Sequence, residues 1–113
     1  MNKKAQYYPK EKLNLKTVVD GAQMWGVALE KTLLTYFEVE PDSEFAMHRH
    51  ESEQITLVLE GELFFKVDGR EVRVQQGEVI ALPANVEHGA FTKEKPVKAV
   101  DAWSPVMEKY RND

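Results

Sequence analysis

Hydrophobic and polar residues alternate along most of this chain in short runs with a period of two. In Leu33–Val39 (LLTYFEV), Leu33, Thr35, Phe37 and Val39 fall on one face and Glu38 on the other. That is the pattern of a strand with one buried side. The same reasoning predicts strands over residues 45–50, 55–59, 63–67, 71–74, 79–82, 88–92 and 97–103. Turn chemistry separates them: Pro41-Asp42-Ser43, Gly61, Gln76-Gly77 and Pro83-Ala84-Asn85. Asp68-Gly69 joins two alternating runs, the strongest short-range signal for a two-residue hairpin. No stretch between Leu13 and Trp103 keeps a helical period over ten or more residues. The pattern predicts an all-β sandwich or barrel with its core over about residues 13–104. A polar arm, residues 1–12, precedes it, and residues 104–113 are expected to form a short tail or loose helical turn.

Composition narrows the class. The length of 113 residues suits one domain, spanning residues 1–113. The chain has no Cys, which excludes disulfides, thiolate metal sites and a cysteine nucleophile. A formal net charge of -4 argues against a nucleic-acid partner, which needs a basic face. No apolar run reaches membrane-spanning length, so no membrane partner is expected. The first residues carry Lys without an apolar stretch behind them, unlike a secretory signal, and a cytoplasmic location is the expectation.

Chemistry concentrates on a few side chains. His48 and His50 lie two apart on an expected strand, so both imidazoles share a face. Such a pair can reach one transition ion at about 2.0–2.2 Å. His88, the third histidine, follows the Pro83 turn. On the last strand, Val97, Ala99, Asp101 and Trp103 share one face, and Lys98 takes the other. Lys98 prefers water, so Asp101 is expected to point inward with Trp103 beside it. A buried carboxylate is costly unless paired or near a cation. Asp101 is therefore the candidate general acid/base, against the plainer alternative of a carboxylate satisfied by backbone N–H groups. Phe37, Phe45, Phe64, Phe65 and Phe91 are expected to pack in the core or between sheets, and Met24 and Trp25 to pack under the barrel rather than at a dimer contact.

These residues resemble a family. His48, His50, Gln54 and Gly61 fall at the spacings of the first cupin motif, and Gly77, Pro83 and His88 at those of the second, together covering roughly half the chain. Asp42 and Asn85 stand where the motifs usually have Gly, and both residue types tolerate left-handed backbone. Thr92 replaces a non-ligand Asn, and Gln54 replaces a ligand Glu. The resemblance implies a cupin-type double-stranded β-helix, or jelly-roll barrel. It also implies one divalent transition ion (Zn, Ni, Fe, Mn or Co) on His48, His50, Gln54 and His88. Glu53 is the alternative to Gln54, but strand alternation lets only one of the two face inward. Three neutral imidazoles and a neutral amide leave such an ion its full charge, so the expected partner is a small anionic molecule.

Glu53-Gln54-Ile55-Thr56, Pro83 to His88-Gly89 and Asp101-Ala102-Trp103-Ser104-Pro105 look similar to the KdgF cupins of pectin degradation. Those proteins convert unsaturated uronates into linear keto sugars. The similarity implies a catalytic role for Asp101 and a substrate-binding role for Trp103. It also shows a departure: Met107 stands where that family carries an Arg that would clamp a carboxylate. Three functions follow as expectations. They are a metal-dependent enzyme moving protons on a carboxylated sugar or keto acid, a ferrous dioxygenase, and a non-catalytic metal- or ligand-binding module. Small cupin barrels commonly pair, so a homodimer is expected.

Overall fold

In the computed structural model, residues 4–111 are described; the ends of the expected N-terminal arm and C-terminal tail (residues 1–3 and 112–113) lie outside them. The strands are β1 (Lys16–Val19), β2 (Ala22–Ala28), β3 (Leu33–Val39), β4 (Glu44–His48), β5 (Glu53–Glu60), β6 (Glu62–Val67), β7 (Arg70–Gln75), β8 (Val79–Leu82), β9 (His88–Phe91) and β10 (Val97–Ser104). They form two antiparallel sheets, one in the order β1-β2-β3-β10-β5-β8 and one in the order β4-β9-β6-β7. The fold is the cupin-type jelly roll that the alternation and motifs predicted.

The period-two pattern decides which side chains fill the space between the sheets. On β3, Leu33, Thr35, Phe37 and Val39 are buried as a set, as predicted. Met24, Val58, Phe65, Val97 and Trp103 join them in one core. Asp68 and Gly69 both have positive φ (55° and 71°), as the predicted two-residue hairpin requires. Asp42 and Asn85 also take left-handed backbone, at φ 54° and 64°, so these two stand in for the family's glycines. Thr92, in place of the usual Asn, is a buried clamp. Its hydroxyl donates to the Glu40 carbonyl at 2.6 Å and accepts the Ser43 N–H at 3.0 Å, holding the turn before β4.

Four expectations are corrected. The strand predicted over residues 45–50 runs over Glu44–His48: His48 pairs with His88, the first residue of β9, so that partner strand offers nothing further on, and a register shift between Phe45 and His48 precedes the end. Phe64 and Phe91 do not join the core. They stack on each other at 5.3 Å on the outer face of the four-stranded sheet, and the Lys93 ammonium covers Phe64 at 4.2 Å. Met24 packs inside as expected, but Trp25 faces outward and stacks on Tyr36 at 5.6 Å. Finally, the C-terminal segment is not a loose tail. A single 3-10 turn, Glu108–Tyr110, drives Tyr110 into the core, where its ring meets Phe37 and Trp103.

Gly26 makes that docking possible. A Cβ at this position would lie 2.2 Å from the Tyr110 carbonyl oxygen. Glycine inside a strand marks such close backbone approach. Gly26→Ala is expected to destabilise the fold by roughly 1–3 kcal/mol by forcing the C-terminal turn away. Thermal unfolding would measure the loss, and faster amide exchange around Tyr110 would locate it.

Candidate metal centre

Three elements bring the histidines together. His48 closes β4 and pairs directly with His88 at the start of β9. His50 lies just past β4, in the connection to β5. The ring centroids are 4.5 Å (His48–His88), 4.9 Å (His50–His88) and 5.3 Å (His48–His50) apart. One nitrogen from each ring lies within 4.8 Å of the other two, close enough for a single ion to reach all three.

The backbone sets the protonation of these rings. Nδ1 of His48 contacts the Ala46 carbonyl at 2.7 Å, Nδ1 of His50 the Ser52 carbonyl at 2.8 Å, and Nδ1 of His88 the Val86 carbonyl at 2.9 Å. A carbonyl only accepts, so each Nδ1 must carry the proton. In its neutral form a ring so held presents an unprotonated Nε2, the arrangement that orients a metal-ligating imidazole. Burial lowers the His88 pKa; the Val86 carbonyl opposes this, and His48 and His50 add to the lowering.

Gln54 is the residue expected as a fourth donor. It is buried on β5, whereas Glu53 is exposed, so of the two it is Gln54 that faces inward, as alternation predicted. Its amide nitrogen donates to Thr56 Oγ1 at 3.0 Å and to Asp101 Oδ1 at 3.4 Å. That commitment leaves its carbonyl oxygen turned away from both. Among the described residues, His50 Nε2 and Gln54 Oε1 are the buried side-chain atoms without a hydrogen-bond partner. Unpaired buried acceptors are costly, and a bound cation would satisfy atoms of this kind. The donor set therefore fits one divalent ion: three bare imidazole nitrogens and one amide oxygen.

Asp101 is buried beside this cluster, on the inward face predicted for it. The plainer expectation, satisfaction by backbone N–H groups, is not what the structure shows. Thr35 and Thr56 are its register partners on β3 and β5, and they flank it. The Thr35 hydroxyl donates to Oδ2 at 3.0 Å, and the Thr56 hydroxyl donates to Oδ1. Burial pushes the carboxyl up to about 6, against the pull of Thr56, Thr35 and Gln54.

Trp103, the expected substrate contact, lines the same cavity with its ring 5.3 Å from His50. Its indole N–H is already spent on Thr35 Oγ1 at 2.8 Å. The ring can therefore offer only its apolar surface to the cavity. Sequence reasoning missed Thr35 and Thr56 as carboxylate partners and Tyr110 as a wall of the cavity. Met107, in place of the family Arg, packs against the core.

With this geometry in view, the comparisons are informative. A family model described as the cupin domain matches residues 35–103, more than half of the chain. The chain belongs to the cupin family. Solved cupins share its architecture closely. KdgF from Halomonas sp. superposes with a TM-score of 0.83 at 22% identity, covering 91% of this chain and 97% of that one. An RmlC-like cupin from Shewanella frigidimarina NCIMB 400 gives 0.86 at 22% identity, covering 97% and 99%. The polyketide cyclase RemF from Streptomyces resistomycificus gives 0.78 at 23% identity, covering 90% and 80%. At these identities the likeness shows the fold alone. Among curated proteins, an acireductone dioxygenase of Tuber melanosporum (strain Mel28) is 39% identical over 56 residues. That match covers 45% of this cupin, which spans about a third (32%) of the dioxygenase. Among the described residues, no helix is long and apolar enough to cross a membrane.

Proposed function

We propose that this cupin holds one divalent transition ion on His48, His50, His88 and Gln54, and that Asp101 moves a proton on a small anionic carbonyl substrate, a keto acid or carboxylated sugar. The observation that carries this reading is the pair of buried, unpartnered acceptors, His50 Nε2 and Gln54 Oε1, beside a carboxylate held by three side-chain donors. When bound, the ion would supply positive charge to the substrate's oxygens and favour the enolate form.

The protein's own residues do the rest. Trp103 donates to Thr35, and Thr35 donates to Asp101 Oδ2. Gln54 donates to Thr56, and Thr56 donates to Asp101 Oδ1. Both carboxylate oxygens are thereby fixed in direction. Asp101 can take a proton from carbon beside a carbonyl and return it to the same or a neighbouring atom. The aromatic walls from Phe37, Phe65 and Trp103 keep bulk water from that transfer.

Deuterium uptake from heavy water into a 2-oxo acid, followed by NMR, tests the reading. Exchange should vanish after chelation and return with redox-inert zinc. Equal exchange by the metal-free protein would overturn it. A second reading, iron-dependent oxygenation, draws support from the curated relative's name. It requires oxygen uptake, and undiminished turnover under anaerobic conditions excludes it.

Gln54 gives a sharper prediction. Gln54→Glu adds the negative charge that cupins usually have at this position, so metal should bind more tightly, by about tenfold or more. The same change replaces an N–H donor to Asp101 with an acceptor oxygen. Exchange should therefore slow even though the site is better filled. Metal competition titration and proton exchange, measured on the same sample, separate the two effects.

A further inference from the structure

Resting on the proposed proton transfer, the geometry points to a narrower substrate class. We infer that the site takes a small 2-oxo acid, or its enol, with a short aliphatic chain, and disfavours a polyhydroxylated sugar acid. The cavity between the sheets has one polar pole, formed by His48, His88, Gln54 and Asp101. Most of the remaining wall is apolar, with Phe37, Phe45, Leu63, Phe65, Ala90 and Ala99 facing the space, and Tyr110 adds a phenol to it. Among the described residues, no Lys or Arg lines it, and the two threonines near it are spent on Asp101.

A polyhydroxylated chain would bring several hydroxyl groups against that wall. Each hydroxyl buried without a partner costs about 1–3 kcal/mol. An alkyl chain in the same place gains about 0.8 kcal/mol per buried CH₂. The carboxylate and ketone oxygens of a 2-oxo acid need only the charged pole. The reaction balances without a co-reactant. The C3–H bond breaks, its proton passes to the Asp101 carboxylate, the C–H electron pair becomes the C2–C3 double bond of the enolate, and the C2=O π pair moves onto the ketone oxygen. Reprotonation from Asp101 reverses the step, and solvent deuterium enters at C3.

The test uses the full chain loaded with zinc and three probes: 3-methyl-2-oxobutanoate, 2-oxobutanoate and an unsaturated uronate. Calorimetry reads binding, and NMR reads deuterium at C3 independently. The expected result is at least tenfold tighter binding of 3-methyl-2-oxobutanoate than of the uronate. Leu63→Ser, which puts a hydroxyl on the wall, should narrow that ratio. Tighter uronate binding, or failure to bind either 2-oxo acid, overturns the inference. Selective binding of the 2-oxo acids without deuterium uptake keeps the selectivity and overturns the proton transfer instead.

Discussion

Asp101→Asn, loaded with one equivalent of zinc, is expected to exchange substrate protons about 10²–10⁴-fold more slowly than the wild type. Metal content should stay at one ion per chain, because no donor in the proposed set is removed. The change is nearly isosteric. One of the Thr35 and Thr56 hydroxyls keeps an amide oxygen to donate to, and the other must turn to accept from the new NH₂. Lost exchange with retained metal assigns the proton to Asp101. Lost exchange with lost metal would mean that Asp101 serves to organise the donor set, through its contact with Gln54 Nε2. Wild-type exchange would remove Asp101 from the chemistry altogether.

The second large effect belongs to His50. Its Nε2 is buried and unpartnered, so His50→Ala removes a donor that nothing nearby replaces. Metal affinity should fall by at least about 10²-fold, the upper end of what changing a mere supporting partner costs. Melting temperature gives an independent reading. An ion at a hundred times its Kd stabilises the wild type by about 2.7 kcal/mol. The variant should gain little of that increment at the same metal concentration. A variant that melts like the wild type with and without metal would detach His50 from the site.

Much of this architecture was legible before any coordinates, for a physical reason. The core lies between two sheets, so every strand must alternate, and alternation is written in the sequence. It placed Asp101 inward, because Lys98 on the same strand demands water. It also turned Gln54 inward and Glu53 outward. What stayed hidden depends on pairing across the chain. Thr35 and Thr56 flank Asp101 only because β10 lies between β3 and β5, and no local pattern states that order. Phe64 looked like core because it is aromatic, yet it sits one position out of phase with Leu63 and Phe65. Tyr110 was hidden for another reason. One 3-10 turn in a polar segment has no period to read, and its docking needs the absent side chain of Gly26 on a distant strand.

The KdgF resemblance tells a similar story. The fold and the histidine cluster follow it, and the solved KdgF superposes well. Met107 does not follow it. It packs as an apolar residue where a carboxylate clamp is expected. Under the proposed function, the charge for an anionic substrate would then come from an ion at the histidine pole of the cavity, which is why the neutral donor set matters.

X-ray absorption of the cobalt-loaded protein tests the central claim most directly. The account predicts one ion per chain with three imidazole nitrogens and at least one oxygen in its first coordination sphere. It also predicts a change in that spectrum for Gln54→Ala. A purified chain that takes up no cobalt, or binds it with fewer than two imidazoles, would contradict the account.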